Sequence, residues 1–286
     1  MIRKTLVAAG LAASMALSMP AGAMEPTLTK IKQSGSISLG YRENSIPFSF
    51  VGDDKKKARG YSIDLCEAVV ADLANQLMMP KLEVKWVPLT AQNRFDAVKK
   101  GEVDLECGNT TQTLSRRAEF DFSLMTFVDG AGLLYRAGEK PKSLAEIKDQ
   151  RVAVVIGTTT EKTLDALVDA AKLGVRLIKV KDHDTAIAAL IDKSATAYAA
   201  DRTVLITTAL VRGKGEAFEL GEEQFSFEPY GLMMRRDADF RLAVDRTLAQ
   251  LYRSGEIGAI LKRWFEPLGS PGEGVKMMFM LNALPE

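Results

Sequence analysis

The segment Asp104-Leu-Glu-Cys-Gly-Asn-Thr-Thr-Gln-Thr-Leu-Ser-Arg-Arg117 runs from an apolar strand into hydroxyl and amide side chains and then into arginines. Residues 103–107 predict a strand that ends at Gly108, where the backbone can turn sharply. Thr113 predicts a helix N-cap, which places Arg116 in the first helical turn. There its guanidinium can fork onto a carboxylate that unpaired backbone N–H groups and the helix dipole already favour. The segment therefore indicates an anion pocket; the alternative is a capped surface helix with solvated arginines.

On both sides of this segment the chain alternates strand-like and helix-like stretches, as in α/β proteins. The predicted strands are 36–41, 82–87, 103–107, 151–156, 175–180, 195–200 and 231–234. The predicted helices are 62–76, 93–100, 161–171, 185–193 and 257–264, with another that carries Phe240, Val244, Leu248 and Leu251 on one face. The tail after Pro267 shows no clear periodicity. The pattern predicts two α/β units, each with βαβ connections.

The N-terminus has the composition of a secretory signal peptide. Arg3 and Lys4 precede an uncharged run over 5–17, and Pro20 and the triplet Ala21-Gly-Ala23 follow. The apolar run is too short to span a bilayer comfortably, and no later segment approaches the roughly 20 apolar residues of a transmembrane helix. No cysteine directly follows the small residues, so the sequence does not predict a lipoprotein. We expect residues 1–23 to be removed and the mature chain to be periplasmic.

Charge and length narrow the class of protein further. Loss of Arg3 and Lys4 leaves 36 of the 38 basic residues against 37 acidic ones, a net charge near −1. Such a balance disfavours nucleic acid as a partner. The remaining length of roughly 260 residues is the size at which one core tends to split into two lobes. Two lobes imply a cleft between them.

Cys66 and Cys107 are the two cysteines of the chain. An even number in an oxidising compartment predicts a disulfide between them. The alternative is a pair of buried thiols, since Cys66 lies on the apolar face of a predicted helix. Neither cysteine has a second metal ligand at a useful spacing, so no metal site is expected.

Several polar residues sit at predicted strand ends or helix starts in the second unit. Thr158 and Glu161 form a capping-box pattern, which would leave Thr159 freer to meet a ligand at the helix N-terminus. Asp201 follows the strand 195–200; taken alone it reads as an ordinary turn aspartate. His183 is the only histidine, and taken alone it reads as a capping or solvated residue.

Seven stretches in a fixed order resemble the periplasmic amino-acid-binding proteins of ABC importers, and within them the glutamate/aspartate-binding branch. They are Gly40-Tyr-Arg-Glu-Asn-Ser-Ile-Pro-Phe-Ser49, Gly60-Tyr-Ser-Ile-Asp-Leu-Cys66, Thr90-Ala-Gln-Asn-Arg94, 104–116, Gly157-Thr-Thr-Thr-Glu161, Lys181-Asp-His-Asp184, and Ser254-Gly-Glu-Ile257 with Arg263-Trp-Phe265. Any one of them is a weak signal, whereas their order and spacing over almost the whole mature chain are specific.

The resemblance implies the two-lobed periplasmic binding protein fold: two α/β lobes joined by two hinge segments, with a ligand cleft between them. We expect one lobe to comprise 24–128 plus 230–286 and the other 129–229, with crossing segments near 126–133 and 225–230. In open α/β sheets ligands bind beyond the carboxyl ends of the strands, where the polar loops described above begin.

The resemblance also implies ligand-binding roles. Arg116 would clamp the ligand's α-carboxylate, helped by Thr111 and by Asn109, which stands where relatives commonly have serine. Asp201 would receive the ammonium group. The remaining implied contacts come from Thr158 and Thr159 in one loop, and from Arg42, Arg94 and His183 around the ligand's side-chain carboxylate. Relatives often carry serine where Ala91 stands, so a hydrogen bond near Arg94 is missing.

Counting charges supports an acidic ligand. Three arginines against Asp201 leave an excess of about two positive charges, more if His183 protonates. A buried unpaired charge costs about 3 to 5 kcal/mol, and a second ligand carboxylate would remove that cost. We therefore expect glutamine to be rejected by a factor of about 10² or more.

The sequence thus predicts a monomeric binding protein without cofactor, metal or catalytic residue, which closes on L-glutamate or L-aspartate and delivers it to an ABC transporter membrane permease. The chain has no phosphate loop of its own. The alternative is an exported, dehydratase-like enzyme on the same scaffold, with Glu161, His183 or Asp184 as acid or base. A receptor sensor domain is a third possibility, weakened by the lack of a second membrane segment.

Overall fold

The structure, a computed structural model, describes residues 25–52, 57–141, 150–171, 174–269 and 272–286. The expected signal peptide, residues 1–23, lies outside the described residues. Within the described ranges, no helix combines the length and apolar character needed to cross a membrane.

Helices and strands alternate along the chain, and their bounds are as follows. The helices are α1 Thr27–Ser34, α2 Tyr61–Gln76, α3 Arg94–Lys99, α4 Leu114–Arg117, α5 Thr159–Ala171, α6 His183–Ile191, α7 Arg202–Arg212, α8 Ala238–Ser254, α9 Ile257–Phe265 and α10 Glu273–Asn282. The strands are β1 Ser36–Arg42, β2 Asn44–Ser45, β3 Ser49–Val51, β4 Ala58–Arg59, β5 Glu83–Leu89, β6 Leu105–Glu106, β7 Asp121–Phe122, β8 Phe127–Asp129, β9 Ala131–Arg136, β10 Arg151–Val155, β11 Arg176–Val180, β12 Ala197–Asp201, β13 Phe218–Leu220, β14 Glu228–Tyr230 and β15 Met233–Met234.

The strands form two five-stranded sheets of the same plan. The first has the order β5-β1-β6-β15-β7, and the second has the order β11-β10-β12-β9-β13. In the first sheet β1 lies between β5 and β6 and pairs parallel with both. In the second sheet β10 lies between β11 and β12 and pairs parallel with both. Antiparallel strands complete both sheets. The two α/β lobes expected from the sequence are therefore confirmed.

Two short strands carry the chain between the sheets. After β7 the chain passes through β8 into the second sheet, and after β13 it returns through β14 to β15. The two crossing strands pair antiparallel, with Phe127 opposite Tyr230 and Asp129 opposite Glu228. They fall within the crossing segments expected near 126–133 and 225–230. The lobe limits at residues 24–128 plus 230–286 and 129–229 stay a prediction.

An aromatic cluster holds the crossing strands against the first lobe. Phe127 on β8 stacks on Phe265 with ring centroids 5.0 Å apart, and the ring of Phe48 meets Phe127 and Tyr230 edge-on, each at 5.1 Å. Tyr61 packs on Phe265 and donates a hydrogen bond of 2.7 Å to the carbonyl of Thr126. Edge and offset contacts of this kind add about 0.5 to 1.5 kcal/mol per pair to the effect of burial.

Helix α8 shows why the predicted elements form. Phe240, Val244 and Leu248 are fully buried on one face, as their spacing predicts. Burial of each such side chain contributes about 1.5 to 3 kcal/mol to the free energy of folding. The side chain of Asp237 caps the helix by accepting from the Phe240 N–H, and Gly255 ends it in the left-handed region at φ 80°.

The C-terminal helix α10 corrects the sequence-based expectation of a tail without periodicity. Val275, Met278, Phe279 and Asn282 are buried at helical spacing, and α10 packs against α8 and β8. The pattern is blurred in the sequence because three apolar residues of the outer face are exposed, namely Met277, Met280 and Leu281. Periodicity separates the two faces of a helix poorly when the exposed face also carries several apolar residues.

Cys66 on α2 and Cys107 after β6 form a disulfide, with Cα atoms 6.2 Å apart. The predicted bond is confirmed, and the alternative of two free buried thiols is wrong. The bond ties α2 to the start of the loop that carries Asn109 and Thr111.

We predict that Cys66→Ala/Cys107→Ala lowers the free energy of unfolding. The bond closes a loop with a sequence separation of 41 residues, and chain entropy gives a loss of about 4 kcal/mol for a loop of that size. Guanidinium denaturation without reductant measures the difference. Reductant should move the wild type toward the double variant and leave the variant unchanged; equal stability of both proteins would contradict the prediction.

Candidate ligand-binding cleft

One cavity lies between the lobes, and every predicted ligand-binding residue lines it. The first lobe supplies Arg42, Arg94, Asn109, Thr111 and Arg116, and the second supplies Thr158, Thr159, His183 and Asp201. The cavity is also lined by Val155, Thr160, Ala199 and Ala200, which the sequence analysis did not single out. The structure thus brings the nine residues together; their contact with a ligand stays a prediction.

The sheets explain the convergence. Arg42 is the last residue of β1 and Asp201 is the last residue of β12. Val155 is the last residue of β10, and Ala199 and Ala200 lie in β12. The other lining residues follow the carboxyl ends of β5, β6, β10 and β11. Because the parallel strands of a sheet end at the same edge, the two edges together line the crevice between the lobes.

Hydrogen bonds cross the cleft and hold the lobes in contact. The Gln92 side-chain amide donates to the carbonyls of Ile156 at 3.0 Å and Lys181 at 3.2 Å. Arg94 Nη2 donates to the carbonyl of Gly157 at 3.2 Å. The donors lie in the first lobe and the acceptors in the second. These bonds exist only while the lobes are together.

Arg116 is held by its own loop. Its Nη1 donates to the carbonyl of Thr111 at 2.8 Å, and its backbone N–H donates to the Thr113 hydroxyl, which confirms the predicted cap. The helix that follows, α4, has four residues. A single helical turn has little dipole, so the prediction that a helix dipole helps to attract a carboxylate is wrong. The guanidinium of Arg116 itself must supply the attraction.

Arg42 and Arg94 are deeply buried cations, 5% and 3% exposed. Burial lowers the pKa of Arg42, and it lowers the pKa of Arg94 further because Arg42 and Arg116 add like charge. Arginine nevertheless keeps its charge at neutral pH. Among the described residues, Nε of Arg94 has no hydrogen-bond partner. The ring of Phe95 lies between two of the cations, 4.3 Å from the Arg94 guanidinium carbon and 4.9 Å from that of Arg116.

Glu106 is an acidic neighbour of these arginines that the sequence analysis missed. It is fully buried at the end of β6. Burial raises the pKa of Glu106, while Arg94 and Arg42 act to lower it. A Cβ at Gly108 would collide with its carboxylate, which explains the glycine there. A charged residue inside a short apolar strand was the available signal.

Glu228 is the second missed acid. It lies on the crossing strand β14, 1% exposed. Its Oε2 accepts hydrogen bonds from the hydroxyls of Thr111 and of Thr159, the latter at 2.7 Å, and its Oε1 accepts from Ser226 Oγ at 2.6 Å. The Thr159 hydroxyl, which was expected to be freer for a ligand, thus donates its hydrogen to Glu228, and its contact with a ligand stays a prediction.

Glu228 belongs to a cluster of three carboxylates. Asp201 accepts from Thr160 Oγ1 at 3.2 Å and from the Tyr230 hydroxyl, and Asp129 lies opposite Glu228 in the strand pair. Burial, with some help from Glu228, raises the pKa of Asp129 to about 6. Burial also raises the pKa of Asp201 well above its usual range, and the charges of Glu228 and Asp129 add to the effect.

The charge count made from sequence alone is wrong. Three arginines face not only Asp201 but also Glu106 and Glu228, so the predicted excess of about two positive charges disappears. The charges are instead separated within the cavity. Arg42 and Arg94 lie with Glu106, whereas Asp129, Asp201 and Glu228 lie together. A cavity with a cationic and an anionic region suits a zwitterion.

His183 is buried, so the alternative of a solvated residue is wrong. Its Nδ1 lies 2.6 Å from the Tyr198 hydroxyl, and Asp182, not His183, caps α6 by accepting from the Thr185 N–H. Burial and then the charge of Arg42 lower the pKa of His183 to about 3. Protonation therefore adds no positive charge to the cavity at neutral pH.

The loop at Thr158 forms the predicted cap with one change. Thr158 Oγ1 accepts from the Glu161 N–H at 3.0 Å and donates to the carbonyl of Val155 at 2.8 Å. The Glu161 carboxylate accepts from Gly157 N–H at 2.7 Å, instead of from Thr158. Both side chains are thus engaged in holding the loop. Across the described ranges, no group of histidine, cysteine and acidic residues has the geometry of a metal site.

Comparison with known proteins gives a consistent result. The sequence pattern of the bacterial extracellular solute-binding proteins, family 3, matches residues 37–267. The L-glutamate/L-aspartate-binding protein of Pseudomonas aeruginosa is 35% identical over 273 residues, which is 95% of this chain and 90% of the relative. The glutamate/aspartate import solute-binding protein of Escherichia coli K12 is 36% identical over 258 residues, covering 90% of this chain and 84% of the relative.

Solved structures share the fold. The solute receptor for L-cysteine of Neisseria gonorrhoeae superposes with a TM-score of 0.72 at 26% identity, covering 87% of this chain and 96% of the receptor. An ancestral amino acid-binding protein, a precursor of cyclohexadienyl dehydratase, superposes with a TM-score of 0.72 at 24% identity. The match covers 84% of this chain and 100% of the ancestral chain.

We predict that the imidazole of His183 stays neutral from pH 8 to 5. Since its pKa is about 3 in the folded chain and about 6.5 in an exposed peptide, it contributes stability that is complete above pH about 6.5 and declines as the pH falls toward 3. The NMR shifts of this single histidine, recorded on untagged protein, should be flat over that interval. A midpoint near 6.5 would contradict its burial, and His183→Gln should reduce the acid sensitivity of unfolding.

Proposed function

We propose that this chain, which belongs to the bacterial extracellular solute-binding proteins, family 3, captures an acidic amino acid, L-glutamate or L-aspartate, between its lobes. It is a solute-binding protein and not an enzyme, as its curated relatives are. The observation that carries the choice of ligand is that the buried Arg42 and Arg94 and the half-buried Arg116 line one cavity, with Asp201 as its acidic lining residue.

The two regions of the cavity divide the work of recognition. In this proposal, Arg116 and Asn109 bind the α-carboxylate, and Asp201 receives the ammonium group. Arg42, Arg94 and His183 bind the side-chain carboxylate. In the tautomer that accepts the Tyr198 hydroxyl at Nδ1, Nε2 of His183 carries the hydrogen and can donate to a carboxylate without bringing a charge.

Lobe closure couples binding to transport. Lobes of 24–128 plus 230–286 and of 129–229 would turn about β8 and β14, and ligand contacts from both sides would favour the closed arrangement with its Gln92 and Arg94 bonds across the cleft. The name of the Escherichia coli relative includes import. We propose that, after removal of residues 1–23, the monomeric closed form delivers its ligand in the periplasm to an ABC transporter permease.

The dehydratase-like alternative lacks support in the cleft. The carboxylate of Glu161 is used by the Gly157 N–H and by Lys179 at 3.0 Å. The pKa of His183, lowered by burial to about 3, makes it a poor general base or acid near neutral pH. Neither Glu161 nor His183 is therefore poised to act as a general acid or base.

Selectivity for an acid over its amide rests on Arg42 and Arg94. Glu106 offsets one of these two buried charges, and the ligand's second carboxylate would offset the other. Glutamine would leave a guanidinium without a counter-charge, and loss of charged hydrogen bonds costs far more than loss of a methylene.

We predict that Arg116→Ala abolishes measurable glutamate binding, whereas Arg117→Ala leaves it unchanged. Removing one partner of a buried charge pair costs about 3 to 5 kcal/mol, equivalent to a loss of at least about 10² in affinity. Arg117 is the matched control, since it lies next along the chain and its guanidinium bonds to Gln112 on the exposed surface. Isothermal titration calorimetry on ligand-free protein measures both; unaltered affinity of Arg116→Ala would remove the proposed clamp.

We predict that the wild type binds L-glutamate or L-aspartate at least about 10² times more tightly than L-glutamine. The same titrations should include L-leucine, whose apolar side chain offers no carboxylate to the guanidinium groups of Arg42 and Arg94. Tighter binding of glutamine or leucine than of either acid would contradict the proposed ligand class. Recovery of the ligand intact after titration separates capture from turnover.

A further inference from the structure

Glu228 links three parts of the molecule at one point. It lies on the crossing strand β14, accepts a hydrogen bond from Thr111 of the first lobe, and accepts another from Thr159 of the second. The two threonine hydroxyl oxygens lie 3.3 Å apart. A single buried carboxylate oxygen therefore fixes two cavity-lining hydroxyls from opposite lobes.

The number of hydrogens decides what these hydroxyls can do. A threonine hydroxyl carries one hydrogen and two lone pairs. With both hydrogens directed to Glu228, Thr111 and Thr159 present lone pairs to the cavity. A ligand carboxylate has only acceptors and gains nothing from lone pairs, whereas an ammonium group has three hydrogens to donate. The two hydroxyls thus fit the ammonium group rather than the α-carboxylate that the family resemblance implies for Thr111.

The charges around Glu228 agree with this assignment. Asp201 and Asp129 are its acidic neighbours, and the charge of Glu228 contributes to raising the pKa of both. The cationic groups that face the cluster are Arg116, whose charge interacts with Glu228 and Asp201, and Arg94, which interacts with Asp201. An incoming ammonium would add the missing local countercharge.

We propose that Glu228 is a specificity-determining positioning residue. It orients the hydroxyls of Thr111 and Thr159 as acceptors for the ligand's ammonium group and adds negative charge beside Asp201, so that the cavity selects amino acids over dicarboxylates without nitrogen. The inference rests on the proposed function, because it concerns how the same ligand is recognised.

Glu228→Gln tests the proposal because glutamine keeps the shape but donates hydrogens of its own. The probes are L-glutamate and glutarate, which has the same two carboxylates and no ammonium. Titration calorimetry should show glutamate affinity falling about 10- to 100-fold, the effect of losing hydrogen bonds to a charged group, with glutarate affinity changed less than about 3-fold. Glu222→Gln, an exposed acid-to-amide change in the same return segment, is the matched control.

A cycle on L-glutamate alone keeps the test decisive if glutarate binds too weakly to measure. Thr111→Val removes one hydroxyl, and adding it to Glu228→Gln should cost less than the sum of the two single losses, because both act on the same bond. Thermal unfolding without ligand confirms that each variant is folded.

Two outcomes overturn the role of Glu228: additive losses in the cycle, or an equal loss of glutarate and glutamate affinity, which would mark a merely structural residue. Wild-type protein that binds neither acidic amino acid would instead remove the proposed function. If the wild type binds glutamate and Glu228→Gln binds it with unchanged affinity, the role of Glu228 is contradicted and the proposed function stands.

Discussion

Compensation of buried charge is the constraint on which the cleft depends. Three guanidinium groups lie between two lobes, where an unpaired ion is costly. Glu106 stands beside Arg42 and Arg94 inside the first lobe, and Glu228 and Asp201 close the opposite side. The cavity therefore has positive groups on one side and negative groups on the other. Its charge is divided, and a ligand must match both regions at once to enter without leaving an ion exposed to apolar surroundings.

The sequence was sufficient to predict the two sheets and to bring nine polar residues to one cleft. Strand ends explain this success, because β-branched runs followed by glycine, threonine or aspartate mark both the strand and the loop that lines the crevice. Arg42 and Asp201 are the terminal residues of their strands, as such a pattern requires. The end of a strand depends on residues that are adjacent in the sequence, so it can be predicted from the sequence alone.

Glu106 and Glu228 were missed because their roles depend on contacts between distant segments. Each lies in a strand of two or three residues, and the cleft groups that it meets are distant in sequence: Thr159 is 69 residues and Thr111 is 117 residues from Glu228. The depression of the pKa of His183 likewise follows from burial beneath Arg42, which sequence order does not show. Helix α10 escaped detection for a different reason, since its exposed face is nearly as apolar as its buried one.

The aromatic cluster makes the two lobes unequal in motion. Phe48, Tyr61 and Phe265 fasten β8 and β14 to the first lobe, so the crossing strands travel with it as one body. We expect bending between the lobes to concentrate at Gly130, which follows β8, and at Ser226, which precedes β14. On this expectation the second lobe moves relative to a first lobe that keeps the crossing strands, and a membrane partner would need to sense only the position of the second lobe.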